Sequence, residues 1–356
     1  MASLQRLNIS HVRNIGEATI QPSPAINILH GANGSGKTSV LEAVHLLACG
    51  RSFRGVKIEP VIQHDKPSCT IFADLRGDIK MGLTRFRNQR HELKLHGTRQ
   101  SNWEQVARLL PVQVLDSNAF ALLEGGPRVR RSFLDWGVFH VERSFVQNWR
   151  ATRKCLANRN LLLKEGGDRS QIAAWDTELC RAATAVDAAR QAYFDEYLPV
   201  LSEVVGQLVD LPDLSLRYHR GWEGNPLDEV LLRHAASDSK YGATQYGPHR
   251  ADIVVKSGKL AAVEILSRGQ QKLLVSAMKI AQGKLLSSAV NQDCIFLIDD
   301  LPSELDQANR HKVCNLLQAL KSQLFLTCVD PSSLQDCWDE KVKFAKFHVE
   351  HGKITA

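Results

Sequence analysis

The sequence predicts an α/β protein in two parts. One is a lobe of mixed sheet with helices, built around a phosphate-binding loop and formed by both ends of the chain. The other is an inserted, mainly α-helical lobe containing a short antiparallel helical hairpin. Three observations predict this. Gly31 to Thr38 reads G-x-x-x-x-G-K-T between an apolar run, Ala25–His30, and a helical pattern, which is the setting a phosphate-binding loop requires. A second apolar run far downstream, Cys294–Ile298, ends in Asp299-Asp300. Between the two, strand alternation gives way to helical spacing. The expected boundaries are 1–118 with 290–356 for the first lobe and 119–289 for the insertion.

A chain of 356 residues has room for two such lobes. The opening residues carry charge too early for a secretory signal, and no run approaches the roughly twenty apolar residues of a membrane span. No membrane role is expected, and the cytoplasm is the expected compartment. The eight cysteines include no C-x-x-C pair, which argues against a zinc site and for reduced thiols. The net charge of +7 permits a polyanionic partner, but only clustering could identify one.

Taken in order, Leu4–Ser10 alternates as a half-buried strand, Ala18–Ile20 reads as a second, and Pro22 and Pro24 turn the chain into the loop strand. Strands ahead of the loop suggest a sheet with an antiparallel edge. Val40, Leu41, Val44, Leu47 and Ala48 keep helical spacing, and Gly50 is a natural end. Thr70–Leu75, Met81–Phe86 and His91–Leu95 read as a meander. In the insertion, Phe145, Trp149, Thr152, Leu156 and Leu163 form one helical face, and Glu165-Gly166-Gly167-Asp168 is a turn. Ile172, Trp175, Leu179, Ala182, Val186, Ala189 and Tyr193 then recur at three-four spacing, as the seam of a paired helix that Pro199 should end or kink. Strands are expected at Leu214–Tyr218 and Ile253–Val255, a helix at Asp228–Ala236, and a further helix opening at Ser267. The chain should close with the Cys294–Ile298 strand, a helix to Leu320, a strand Leu324–Val329 and a hairpin around Gly352.

The chemistry follows from those placements. In Gly31, Ala32, Asn33, Gly34, Ser35, Gly36, Lys37, Thr38 and Ser39, glycines let backbone N–H groups converge on an anion, and the helix N-terminus and Lys37 add positive charge. The Thr38 hydroxyl can sit on Mg²⁺. Asp299, at the end of a buried strand, can hold the same ion, and Asp300 is placed to orient or deprotonate an attacking water. A nucleoside triphosphate with Mg²⁺ is therefore the expected ligand. Ser267-Arg268-Gly269-Gln270, at a helix start, offers a second anion site through Ser267 and Gly269. Arg13, Gln113 and Asp306 are further candidate nucleotide contacts. No N-K-x-D string exists, which removes a guanine-reading GTPase.

The order of loop, helical insertion, signature serine, Asp299-Asp300 and then Ser303-Glu304-Leu305-Asp306 resembles the heads of ATP-binding-cassette proteins. More closely, it resembles their chromosome-maintenance branch. Within it, Gly50-Arg51-Ser52-Phe53-Arg54, Gly125-Gly126-Pro127-Arg128-Val129-Arg130-Arg131-Ser132-Phe133-Leu134-Asp135 and Gly247-Pro248-His249-Arg250 resemble the RecF family, from about Leu4 to about Thr355. The resemblance implies an ATP-dependent DNA-binding protein that dimerises head to tail around two ATP molecules. In that dimer Ser267 and Gly269 of one subunit meet the γ-phosphate held by Lys37 of the other. It further implies action at single-strand gaps with RecO and RecR, in repair, replication and the SOS response, at the nucleoid.

Asp300 stands where transporter ATPases carry a glutamate, one methylene longer, and Thr327 falls on the strand where they carry a switch histidine. Slow hydrolysis that times release from DNA is therefore expected, with a transporter ATPase subunit as the alternative. Arg128, Arg130, Arg131, Arg150, Arg153 and Arg159 are the candidate contacts to single- or double-stranded DNA. With no base-reading motif in the chain, backbone and junction shape should be recognised rather than sequence.

Overall fold

The computed structural model describes residues 3–338, Val342 and 344–356, with the side chains of Asn118 and Ala119 left aside. Packing divides the chain into two units, Met1–Ala119 with Lys272–Ala356, and Phe120–Gln271.

In the first unit, four parallel strands are buried along almost every residue: Ile26–His30, Val112–Leu115, Ile295–Ile298 and Leu324–Cys328. Such unbroken apolar runs are what strands covered on both faces require. The sheet runs Lys353–Thr355, Phe344–Glu350, Ile26–His30, Leu324–Cys328, Ile295–Ile298, Val112–Leu115, parallel except for the Lys353–Thr355 edge. The strands ahead of the loop do not supply this antiparallel edge. Leu4–Val12 and Ile15–Ile20 instead join the meander Ser68–Leu75, Ile79–Phe86, His91–Leu95 and Thr98–Gln100 in an antiparallel sheet of their own. Their alternation allows it, since one row (Leu7, Ile9, Ile71, Ala73, Met81, Leu83, Leu93) is buried and the opposite row is not.

The helix Lys37–Cys49 contributes Val40, Leu41, Val44, Leu46 and Leu47 to the same core as that buried row. Gln323 stitches the unit together: its amide accepts from Leu4 N at 2.7 Å and donates to Leu4 O at 2.9 Å and to Ser23 O at 2.8 Å.

The second unit contains helices Pro127–Val141, Phe145–Glu165 and Arg169–Leu208, the short helices Ala121–Glu124, Leu227–Arg233, Ala235–Tyr241 and Ala262–Ile265, and a three-stranded antiparallel sheet of Leu214–His219, Asp252–Ser257 and Leu260–Ala261. Gly166, left-handed at φ 69°, turns Phe145–Glu165 into its antiparallel partner. Leu179, Ala182, Val186 and Tyr193 are buried along the seam. Pro199 does not end the second arm, which continues to Leu208. Its ring faces solvent, where the unmade backbone bond can be hydrated. A Cβ on Gly137 would come within 2.1 Å of the Tyr193 ring, so only glycine lets Pro127–Val141 lie this close to Arg169–Leu208. The expected helix Asp228–Ala236 is two helices, Leu227–Arg233 and Ala235–Tyr241, broken at His234.

Packing also places the second unit boundary inside the helix Arg268–Val290, at 271/272 rather than at 289/290. The reason is visible in its side chains. Lys279 donates to Val114 O, and Gln282 accepts from Gln113 Nε2 at 2.9 Å, so most of that helix is tied to the Val112–Leu115 strand.

Candidate functional site: a phosphate loop with a hydroxyl–carboxylate pair

The loop 31–36 links the C-terminal end of a central parallel strand to a helix whose first turn has no side-chain cap and no acidic residue. The unsatisfied amides therefore point at whatever anion enters. Gly31 at φ 143° is obligatory, because an added Cβ would sit 2.2 Å from Val349 O. Lys37 is buried and donates to Gly31 O at 2.7 Å and Ala32 O at 2.9 Å, which holds its ammonium against the loop.

Beneath the loop, Thr38 Oγ1 donates to Asp299 Oδ1 at 2.9 Å, joining residues from opposite ends of the chain. Thr327, on the neighbouring strand, donates from Oγ1 to Asp299 Oδ1 at 2.7 Å and accepts from Asp300 N at 2.8 Å. Asp300 adopts the left-handed region at φ 51°, which a short acidic residue tolerates, and its chain leaves the strand there. Lys37, Thr38, Asp299, Asp300 and Thr327 line one cleft of about 620 Å³ with Asn33, Gly34, Gly36 and Ser39. Arg54, Arg87 and His64 bring further positive or ionisable groups to its rim.

The residues fit Mg²⁺ delivered with a triphosphate. Two hard oxygen ligands stand side by side, and Mg²⁺ characteristically takes one or two protein oxygens and completes its shell with phosphate and water. Among the described residues no cluster of three His, Cys, Asp or Glu side chains forms an all-protein metal cage.

Two residues that sequence reasoning did not assign brace the loop and the helix that follows it. Asn14 Nδ2 donates to Gly34 O at 3.2 Å and Ser35 O at 2.9 Å, and its Oδ1 accepts from Ser39 Oγ at 3.0 Å. Glu42, fully buried in the loop helix, takes two bonds from Arg13 at 2.8 Å each and another from Ser52 Oγ. Nothing in a lone Asn or a helical Glu signals this from sequence.

Arg13 lines the cleft, but its guanidinium is committed to Glu42 and to Pro60 O at 2.7 Å. The Glu42 hydrogen bond also raises its pKa. Those bonds hold its side chain in the cleft wall. The expectation for Gln113 is corrected. It lies in the middle of the buried strand Val112–Leu115, its amide given to Gln282, and it does not line the cleft.

Asp306 is exposed as the N-cap of Gln307–Ala319, accepting from Asn309 N at 2.9 Å. Ser267 and Gly269 are exposed in the second unit. There Ser267 N donates to Gln270 Oε1 at 2.9 Å and Gln270 N returns a bond to Ser267 Oγ at 3.3 Å, a reciprocal capping box.

The candidate DNA arginines divide sharply. Arg159 is only 1% exposed and bound to Asp176, Asp238 and Thr244, so it is a core residue and not a DNA contact. Arg130 makes a two-bond pair with Asp252 at 2.7 and 2.9 Å, and Arg131 donates to Ala251 O at 2.6 Å. Both therefore fasten Pro127–Val141 to the Pro248–Asp252 turn. Arg190 completes that fastening through Asp135 and Pro248 O. Arg128, Arg150 and Arg153 are exposed, Arg153 stacked 4.8 Å from the Trp149 ring.

The family model for the RecF/RecN/SMC N-terminal domain matches residues 3–355. The DNA replication and repair protein RecF of Pseudomonas fluorescens is 46% identical over 359 aligned residues, covering 99% of this chain and 98% of its own length. That of Pseudomonas putida is 47% identical with the same coverage. Among solved structures, the recombination mediator protein RecF with ATP, of the RecFOR pathway, superposes with a TM-score of 0.86 at 22% identity, over 99% of this chain and 97% of that one. An Smc head domain from Pyrococcus furiosus gives 0.58 at 17% identity over 100% and 96%. With the family model matched from end to end and close to half its residues shared with these relatives, the chain belongs to the RecF family of DNA replication and repair proteins.

Proposed function

We propose that this protein is an ATP-dependent DNA-binding protein of recombinational repair and replication, working in the cytoplasm at the nucleoid. In this reading it closes into a head-to-tail dimer on ATP, acts at single-strand gaps with RecO and RecR, and releases DNA through slow hydrolysis. The observation that carries the reading is the Thr38–Asp299–Thr327 constellation beneath a bare helix N-terminus. The amides of 31–39 and Lys37 bind the phosphates. Thr38 and Asp299 hold Mg²⁺, which when bound draws negative charge from the phosphates. Asp300 orients the attacking water and takes its proton, and its short side chain keeps that step slow.

The exposed signature segment supports the dimer. Ser267 and Gly269, with open space where a Gly269 side chain would stand, form a surface that a partner's γ-phosphate can approach. The likeness of this chain's fold to that of a recombination mediator of the RecFOR pathway, beside its kinship with RecF proteins, supports the RecO and RecR partners. The test is solution mass with ATP and Mg²⁺, alongside binding to gapped DNA. The wild type should double in mass and tighten on DNA. Ser267→Arg should stay single with ATP binding intact, and Asp300→Ala should bind ATP and dimerise without turnover. A wild type that stays monomeric at high concentration with a non-hydrolysable analogue, and holds DNA equally without nucleotide, overturns the proposal.

A further inference from the structure

The antiparallel sheet of the first unit turns one row of side chains into the core and the opposite row to solvent. On the solvent face the pairing register sets Asn8, Phe72, Gly82, Lys94 and Arg99 side by side, successive partners from Leu4–Val12 across to Thr98–Gln100. A phenylalanine in such a row stands apart, and Phe72 is half-buried, outside the apolar core. Its partner Gly82 sets its posture. A Cβ built on Gly82 would meet Phe72 Cδ2 at 3.8 Å, so the ring extends over the glycine. With no side chain beneath to lift it, the ring can lie along the sheet and turn one face to water.

The neighbouring row, Ser10, Thr70, Thr84 and Glu92, is polar. Beyond it Phe86, the partner of Ser68, is a second half-buried aromatic on the same face. Phe86 shares a concavity of about 680 Å³ with Asn88, Arg90, Glu92 and Arg99. Arg6, Lys80, Arg90, Lys94 and Arg99 are all exposed. Among the acids of this face, Asp74 is the register partner of both Arg6 and Lys80, which offset it, while Glu92 and Glu17 lie in the polar row and at its far edge.

We propose that this outer sheet face is a platform for single-stranded DNA, with bases stacked on Phe72 and Phe86 and phosphates held by Lys94, Arg99 and Arg90. Aromatic faces set among cations suit an unpaired strand, because every base has a π-face and every link a negative charge. A duplex keeps its base faces stacked inward and has none to offer either ring. Phe86 lies four positions along its strand from Gly82, so the two rings are about 14 Å apart along the sheet. Stacked neighbouring bases are only about 3.4 Å apart, so one strand reaches both rings only when extended. The inference rests on the DNA-binding reading above and gives the unpaired stretch of a gap its own surface.

The test is binding of a labelled oligothymidylate, and of duplex of the same length, to the full chain with ATP and Mg²⁺ across a salt series. Phe72→Leu keeps an apolar cover over Gly82 and removes the ring. Its affinity for the single strand should fall about tenfold with duplex affinity unchanged, and Phe72→Tyr should restore it. Phe86→Leu should behave like Phe72→Leu. Lys94→Ala and Arg99→Ala should each reduce the slope of log affinity against log salt by about 0.7 on the single strand. If the wild type grips gapped duplex while both leucine variants hold oligothymidylate as tightly as it does, the platform is overturned and the DNA reading stands. Equal losses on single strand and duplex also overturn the platform. A wild type that binds no DNA with ATP overturns both.

Discussion

Thr327 Oγ1 donates to the Asp299 carboxylate at 2.7 Å and accepts from the Asp300 amide at 2.8 Å, so one hydroxyl fixes both acids at the end of their strand. The two strands are parallel neighbours, paired through Phe296–Leu324 to Ile298–Leu326, and Thr327 is the next residue past that pairing. Thr327→Val keeps the volume and removes both bonds. We expect about 1–2 kcal/mol of stability to be lost, the range for a buried amide left unpaired. ATP turnover should fall about tenfold while ATP binding changes little, as for an interaction that orients the water and the metal-side acid. Equal losses in binding and turnover would place Thr327 in phosphate binding instead.

Asn14 is the tether of the phosphate loop, with three hydrogen bonds to residues 34, 35 and 39. Asn14→Ala frees the loop without touching the anion site itself. Pre-organised amides bind phosphate better than mobile ones, so ATP affinity should drop about tenfold, roughly 1.4 kcal/mol. Titration with a fluorescent ATP analogue measures this. An unchanged affinity would show that the glycine backbone alone holds the loop.

These two residues mark where the sequence stops being legible. Lys37, Thr38 and Asp299 could be assigned because a short motif and an apolar strand ending in acid each carry their own geometry, and the fold brings them to one cleft. Asn14 and Glu42 serve through contacts made across strand, loop and helix, and no local pattern encodes such a contact. Gln113 went astray because an apolar four-residue strand with one amide looks like the end of a strand. The amide is instead absorbed by Gln282, 169 positions away. The pre-loop strands were read correctly as strands, but their sheet membership depends on pairing with residues around 70, which periodicity does not reveal.

His249 offers a pH test. Its Nε2 bonds Thr244 O at 2.9 Å, while its buried Nδ1 has no hydrogen-bond partner among the described residues. Burial, with Arg250 and Arg131 nearby, lowers its pKa below the ordinary 6.5, whereas the Thr244 carbonyl opposes this. The folded state thus binds fewer protons than the unfolded one below pH 6.5. The stability contribution is complete above that value and declines as pH falls through the window beneath it. His249→Asn should flatten the fall in Tm between about pH 6.5 and 5. An unchanged slope would assign the acid sensitivity elsewhere, to His30 or His91, whose pKa values are also lowered chiefly by burial.

The arginines of the helical unit should separate into two classes under mutation. Arg159→Ala strands Asp238, which is fully buried and 2.7 Å from the guanidinium, and should cost about 3–5 kcal/mol. Its effect on DNA binding should appear only through lost folded protein. Arg128→Ala and Arg153→Ala remove exposed charge and should leave the Tm within a degree or so. If their side chains neutralise phosphates, each should lower DNA affinity several-fold and reduce the slope of log affinity against log salt by close to one. Arg153 carries a further expectation. Its guanidinium rests over the Trp149 ring, 4.8 Å from the centroid, so Trp149→Ala should loosen it and weaken DNA binding while leaving the charge in place. Thermal melts beside salt-dependent binding to gapped duplex decide the matter. An Arg153→Ala protein with unaltered salt slope would move the DNA surface off this helix.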